Sequence, residues 1–204
     1  MRKYIFMAIA LIVMAMPLRA DGVLDKIASS NTRISTLQAH FDQSRFLKAT
    51  GKTIPMEGIF YYASPDRMSM SYSKPANELL VIDKNTFFMY RGGNRSTFDT
   101  SKNKIMGSLS DCLLGCVRGK VGDVAKANNA SVSTSESGGN YVVTLTAKEK
   151  SVRGYSKIVL TYRKVDCVLV KMVMEEFTGV TNTYEMSDIV KDKPLGDSVF
   201  STKR

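Results

Sequence analysis

The strongest constraint on this chain is a period of two that recurs over most of its length. Leu37, Ala39 and Phe41 alternate with Gln38, His40 and Asp42. Met56, Gly58, Phe60 and Tyr62 alternate with Glu57, Ile59 and Tyr61. Met68, Met70 and Tyr72 alternate with Arg67, Ser69 and Ser71. Successive side chains of a strand point to opposite faces, so this spacing predicts half-buried antiparallel strands with one dry face. Residues 79–82 and 87–90 add two apolar runs. Between the runs stand turn residues: 49–53, Ser64-Pro65-Asp66, Lys74-Pro75-Ala76-Asn77 and Asp83-Lys84-Asn85-Thr86. They predict hairpins.

The period changes to helical spacing twice. Val23, Leu24, Ile27 and Ile34 predict an amphipathic helix over 23–34, with Asn31 interrupting its apolar stripe. Arg91-Gly92-Gly93-Asn94 then breaks the meander. Ile105, Met106, Leu109, Leu113, Cys116 and Val117 recur at three- and four-residue spacing and predict a second helix. Strand patterns return at 131–135, 141–147, 157–163, 168–174 and 181–190. The fold class is therefore α+β and mostly β. So large a sheet must cover its apolar face or curl on itself, and two helices are too few to flank both faces. The economical geometry is a strongly curved antiparallel half-barrel with helices across its mouth, filled by side chains or enclosing an apolar cavity.

The N-terminus reads as a cleavable export signal over residues 1–20. Met1-Arg2-Lys3 is basic, residues 4–16 are apolar, and Pro17-Leu18-Arg19-Ala20 leads to a polar start at Asp21. The apolar run is shorter than the ~20 residues that cross a bilayer. No Cys follows the junction, so no lipid anchor is expected there. Residues 21–204 then form one soluble domain, expected to be monomeric in the periplasm. Losing Arg2, Lys3 and Arg19 lowers the formal charge from +10 to about +7. A basic exported protein meets anionic lipid headgroups or an acidic partner sooner than nucleic acid. An oxidising compartment leaves two readings of Cys112, Cys116 and Cys167: a bridge from Cys112 or Cys116 to Cys167, or buried thiols packing as small apolar groups.

The chemistry of known catalytic motifs is missing. There is no Gly-x-Ser-x-Gly elbow and no glycine-rich phosphate loop after a strand. His40 is the one His, on the strand face opposite Phe41, and lacks the positioned partners of a general base. Two Ser-x-x-Lys matches, Ser71 to Lys74 and Ser101 to Lys104, lack a Lys-Thr-Gly companion. One His and no Cys-x-x-Cys make a metal site unexpected. No catalytic residue and no cofactor is assigned. The pattern instead offers a face of Phe60, Tyr62, Met68, Met70, Tyr72, Leu80, Phe88 and Tyr90. Methionine is flexible and suits surfaces that accept varied apolar shapes.

Several stretches resemble a known family. Ile34-Ser35-Thr36-Leu37-Gln38-Ala39-His40-Phe41-Asp42-Gln43 resembles a helix-to-first-strand signature with Phe-x-Gln. Gly58-Ile59-Phe60 through Ser64-Pro65-Asp66-Arg67-Met68 resembles its second hairpin, and Asp83 through Tyr90 its next. Phe177-Thr178-Gly179 through Tyr184 and the closing Asp197-Ser198-Val199-Phe200 fit as well. The family is that of the LolA-like periplasmic carriers of outer-membrane lipoproteins. The resemblance implies a half-barrel whose helices form a lid over a cavity for lipoprotein acyl chains. It implies an apolar site from Phe60, Tyr62, Met68, Met70, Tyr72, Leu80, Phe88 and Tyr90 with Ile105, Met106, Leu109 and Leu113 of the lid. It also implies two partners, an inner-membrane lipoprotein-release transporter and an outer-membrane acceptor. A carrier of another lipid or glycolipid, or a lipid-sensing regulator on the same fold, is the alternative. Ser64 stands where family members have an Arg that bonds to the lid, so that latch is not carried over. The family's Phe and Trp of the third strand align with Met68 and Met70, which implies a softer cavity.

Overall fold

The first and last strands of this chain lie side by side in the middle of one antiparallel sheet. The computed structural model describes residues 20–151 and 154–203. The expected signal peptide lies, up to residue 19, outside the described residues. In chain order the elements are α1 (Ala20–Asn31), β1 (Thr36–Leu47), β2 (Lys52–Ala63), β3 (Arg67–Lys74), β4 (Leu79–Asp83), β5 (Thr86–Arg91) and β6 (Asn94–Asp99). Then come α2 (Lys104–Val117), α3 (Val121–Ala127), β7 (Ala130–Ser137), β8 (Asn140–Ala147), β9 (Tyr155–Arg163), β10 (Leu169–Glu176) and β11 (Val180–Lys191). A 3-10 turn, Asp197–Phe200, follows.

The spatial order is β6-β5-β4-β3-β2-β1-β11-β10-β9-β8-β7. Two meanders thus meet along β1 and β11, from Leu37 opposite Lys191 to Leu47 opposite Val180. The chain leaves the sheet at one edge, β6, and re-enters at the other, β7. Its connection must cross a face, and α2 and α3 make that crossing over the concave side. The result is a curved, open half-barrel with helices over its mouth. Phe41, Phe60 and Met68 from the first meander and Val143, Leu160 and Tyr162 from the second are almost wholly buried there. They share one core with Ile27, Cys116 and Val121 of the three helices. Each large apolar side chain buried in this way contributes ~1.5–3 kcal/mol.

Polar ties fix the helices on this core. The Tyr162 hydroxyl donates to the Cys116 carbonyl at 2.6 Å, joining β9 to α2. Asn31, which interrupts the apolar stripe of α1, is 3% exposed because both its amide protons are accepted. They go to the carbonyls of Ile27 at 2.9 Å and Cys167 at 2.7 Å. All three cysteines are free and buried, packing as thiols.

The structure corrects three sequence expectations. Arg91-Gly92-Gly93-Asn94 does not break the meander but turns it into β6, with both glycines at positive φ. The polar sequence of β6 hid its strand character, because an edge strand has little to bury. A third helix, α3, is only seven residues long, too short for its period to stand out. Phe88 and Tyr90 do not share the concave face. Val81 pairs with Phe88 and Leu79 with Tyr90, and these four turn to the convex side. Residues 87–90 are apolar on both faces, so alternation does not reveal which is inside.

The convex cluster is covered by the C-terminal segment. Phe200 is buried against Leu79, Val81 and Phe88. Arg67 clamps it there: its guanidinium lies 4.2 Å from the Phe200 ring and pairs with Asp197 at 2.9 Å and Asp83 at 3.3 Å.

Two positions test this packing. A Cβ on Gly58 would overlap the Ser71 carbonyl oxygen and lie 2.9 Å from the Phe41 ring. Gly58→Ala is expected to lower stability by ~1–3 kcal/mol in a urea titration, as over-packing does. Asp166 accepts from Arg163 Nε at 2.9 Å and Nη2 at 2.8 Å and from Lys191 at 3.0 Å. Arg163 first, then Lys191, holds its carboxyl well below the usual carboxylate range. A depressed carboxylate stabilises the fold above its unfolded pKa and loses that contribution as pH falls. Asp166→Asn should therefore cost about 1 kcal/mol at pH 7. The difference from the parent narrows as pH falls below about 4, read by urea titrations across that range.

Candidate functional site

Where α2 crosses the mouth, its two halves are held differently. Ser110, Cys112 and every residue from Leu113 to Val117 are buried. The N-terminal half is looser: Ile105 is 56% exposed, and Met106 and Leu109 are part-buried. Asn103 caps this end by accepting from the Met106 N–H at 3.1 Å.

Beneath the looser half runs a cleft of about 490 Å³. Ile105, Leu109 and Cys112 of α2 form one wall, with Lys104 and Ser108 beside them. Gly154, Tyr155 and Glu176 form the other, and Asn128 lies at its end. Its size falls in the range of ligand pockets, ~300–1,000 Å³. Tyr155 was not singled out by sequence. Strict alternation with Ile158, Leu160 and Tyr162 puts it on the outer face. A register shift on β9, where Glu175 pairs Lys157 but Glu176 pairs Tyr155, reverses that parity. Burial pushes the Tyr155 hydroxyl pKa up, so it stays neutral.

The sequence-expected site residues separate into three groups. Phe60, Tyr62, Met68, Met70 and Leu113 are buried in the concave core, with Tyr72 and Leu80 part-buried against it. Ile105 and Leu109 line the cleft, and Met106 packs on the core beside it. Phe88 and Tyr90 lie on the convex face, away from both. His40 is exposed on the convex side between Ile59 and Ser187. Ser64 donates its backbone N–H to the Ser35 carbonyl at 2.8 Å. No hydrogen bond among the described residues joins Ser64 to the helices.

At one end of the half-barrel the interior turns polar. Gln43, 5% exposed, accepts from the Tyr72 hydroxyl at 2.9 Å. Its amide donates to Asn182 at 3.1 Å and to the Tyr184 hydroxyl at 3.3 Å. Asn182 in turn donates to Glu176 at 3.4 Å. Burial raises the Tyr72 pKa and pushes Tyr184 up to about 12, so both hydroxyls stay neutral, Tyr72 donating and Tyr184 accepting. A small cavity of about 110 Å³ adjoins this network, with Arg45 and Arg91 on its wall. The network closes the apolar interior with satisfied polar groups.

This arrangement defines a curved, open half-barrel with helices across its mouth and a cleft beneath one of them. The chain belongs to the LolA family, described as outer membrane lipoprotein carrier protein, whose model matches residues 32–203. No curated protein matches the chain in sequence. Among solved structures, an uncharacterized conserved protein from Thermus thermophilus aligns over 92% of this chain and 96% of its own, at 8% identity and TM-score 0.54. A LolA superfamily protein from Nitrosomonas europaea covers 91% and 98% at 13% identity, TM-score 0.45. The lipoprotein LppX from Mycobacterium tuberculosis covers 87% and 98% at 10% identity, TM-score 0.42.

Gln43→Leu would leave the Tyr72 hydroxyl and the Asn182 amide oxygen without a shared partner. It should cost ~1–3 kcal/mol, measured by urea unfolding, despite the added apolar volume.

Proposed function

We propose that this protein is a periplasmic carrier that binds the acyl chains of lipoproteins and ferries them from the inner to the outer membrane. The observation that carries this reading is the cleft under the N-terminal half of α2, walled by Ile105, Leu109, Cys112 and Tyr155 beside the Met- and aromatic-rich core. The family description agrees with it. In this reading residues 1–20 are the export signal, residues 21–204 the carrier, and an inner-membrane transporter and an outer-membrane acceptor the partners.

The energetics suit a carrier. Each buried methylene contributes ~0.8 kcal/mol, so a ~16-carbon chain represents roughly 12 kcal/mol if fully enclosed. Full enclosure makes release slow. A cleft beneath a half-anchored helix encloses the chain in part. The buried C-terminal half of α2 serves as the anchor, bonded through Cys116 to Tyr162. The exposed first turns around Ile105 are the segment that lifts. Ser64 does not supply a latch, so packing of Met106, Leu109 and Leu113 sets the closed state.

Native mass spectrometry of the gently purified protein should show added lipid or lipoprotein mass. A fluorescent 16-carbon fatty-acid probe should bind the delipidated protein. Leu109→Glu, which sets a charge in the cleft, should weaken that binding by tenfold or more, while His40→Ala leaves it unchanged. Consistent failure to bind any acyl chain, by a protein with native circular dichroism, would rule the reading out.

A further inference from the structure

Apart from Ile105 in the cleft, four large apolar side chains are exposed among the described residues: Phe46, Ile54, Val165 and Val190. Phe46, 39% exposed, and Ile54, 42% exposed, stand together on the β1–β2 hairpin. Phe46 is opposite Thr53 and Ile54 opposite Arg45, so the two flank the hairpin on both faces. This hairpin projects. β3 reaches no further along β2 than Lys74 opposite Glu57, which leaves residues 52–56 without a strand on that side. On the other side the hairpin leans on the β10–β11 turn, where the Lys48 N–H donates to the Gly179 carbonyl at 3.1 Å. Phe177 and Val180, both part-buried, continue the apolar surface of the rim.

Cations predominate at the rim. Arg45, Lys48 and Lys52 make no ion pair among the described residues. Of the acids near them, Glu175 pairs with Lys157 at 3.7 Å and Glu78 with Arg91 at 3.3 Å, while Glu176 accepts from the uncharged Thr178 at 2.9 Å and Asn182 at 3.4 Å. Asp42 and Glu57 lie further back on the convex face. Asp42 is three strand residues from Arg45, or about 10 Å at ~3.3 Å per residue, the distance at which physiological salt screens exposed charges.

The exposed edge of β2 is guarded against strand addition. Pro55 has no N–H to offer and Lys52 adds a charge. A partner therefore meets side chains rather than backbone. Two apolar tips amid unpaired cations match the interfacial layer of an anionic bilayer. We propose that this rim docks on an anionic membrane surface, with Phe46 and Ile54 entering the interface and Arg45, Lys48 and Lys52 on lipid phosphates. The placement has a consequence for the cleft. Tyr155 and Glu176 lie at the ends of β9 and β10 that turn at this same rim, and the Phe177 N–H donates to the Gly154 carbonyl at 3.3 Å. Docking holds the mouth against the bilayer. The proposal stands on exposure and charge alone and is independent of what the cleft binds.

The chain contains no Trp, so a single introduced one reports its own surroundings. Phe46→Trp in the full mature chain should show a blue-shifted emission with phosphatidylglycerol–phosphatidylcholine vesicles and none with phosphatidylcholine alone. Adding Lys48→Glu and Lys52→Glu should weaken vesicle binding about tenfold, and raised salt should act likewise. Val165→Trp, on the exposed β9–β10 turn, should not shift. Co-sedimentation of the unlabelled chain with the same vesicles, with and without the two Lys→Glu changes, reads the same property without Trp. No vesicle-dependent shift and no sedimentation, or binding indifferent to lipid charge, would overturn the proposal, and so would an equal shift at Val165→Trp.

Discussion

The pairing of β1 with β11 is the constraint on which the rest of the structure depends. It seats the first and last strands among the described residues in the middle of the sheet and sends the strands between them out to both edges. A connection from β6 to β7 must then traverse the sheet. It does so on the concave side, because that is where apolar area remains to be covered. The lid is thus a consequence of strand order. The helices that close the mouth are the only covalent path between the two edges.

The same pairing shapes the interior. Along β1, Phe41 packs on the glycine gap at Gly58, while Gln43, two residues on, meets Asn182 of β11. One strand thereby carries the change from an apolar core to a satisfied polar end. The cleft under α2 lies where that core is least closed. Its second wall exists because one extra residue on β9 turns Tyr155 inward. The convex face is a separate structure with its own small core, shielded by the C-terminal segment and held by Arg67.

Much of this was legible before any coordinates. Period two over residues 37–72 identifies strands whose inner faces are correct at Phe60, Tyr62, Met68 and Met70; the alternation is sharpest at Met68 and Met70, whose outer neighbours Arg67, Ser69 and Ser71 are polar. Helical spacing over 105–117 identifies α2, because Met106, Leu109, Leu113, Cys116 and Val117, all buried or part-buried, recur at three- and four-residue spacing. The pattern failed where its physical cause was weak. β6 is an edge strand with almost nothing to bury, α3 makes barely two turns, and residues 87–90 are apolar on both sides. Tyr155 was missed for a different reason: a bulge changes the face without changing the composition.

Sequence by itself determined the class of this protein: an antiparallel, mostly β half-barrel with a helical cover, and membership of a carrier family. Those properties follow from local periodicity and from the order of motifs, which each segment carries with it. Tertiary structure decided which apolar residues share a face, that Arg67 on the outer face holds the C-terminal segment, and where the cleft lies. These depend on register and on strand order. Both are set by contacts between residues more than a hundred positions apart, such as Gln43 with Asn182 and Arg67 with Asp197.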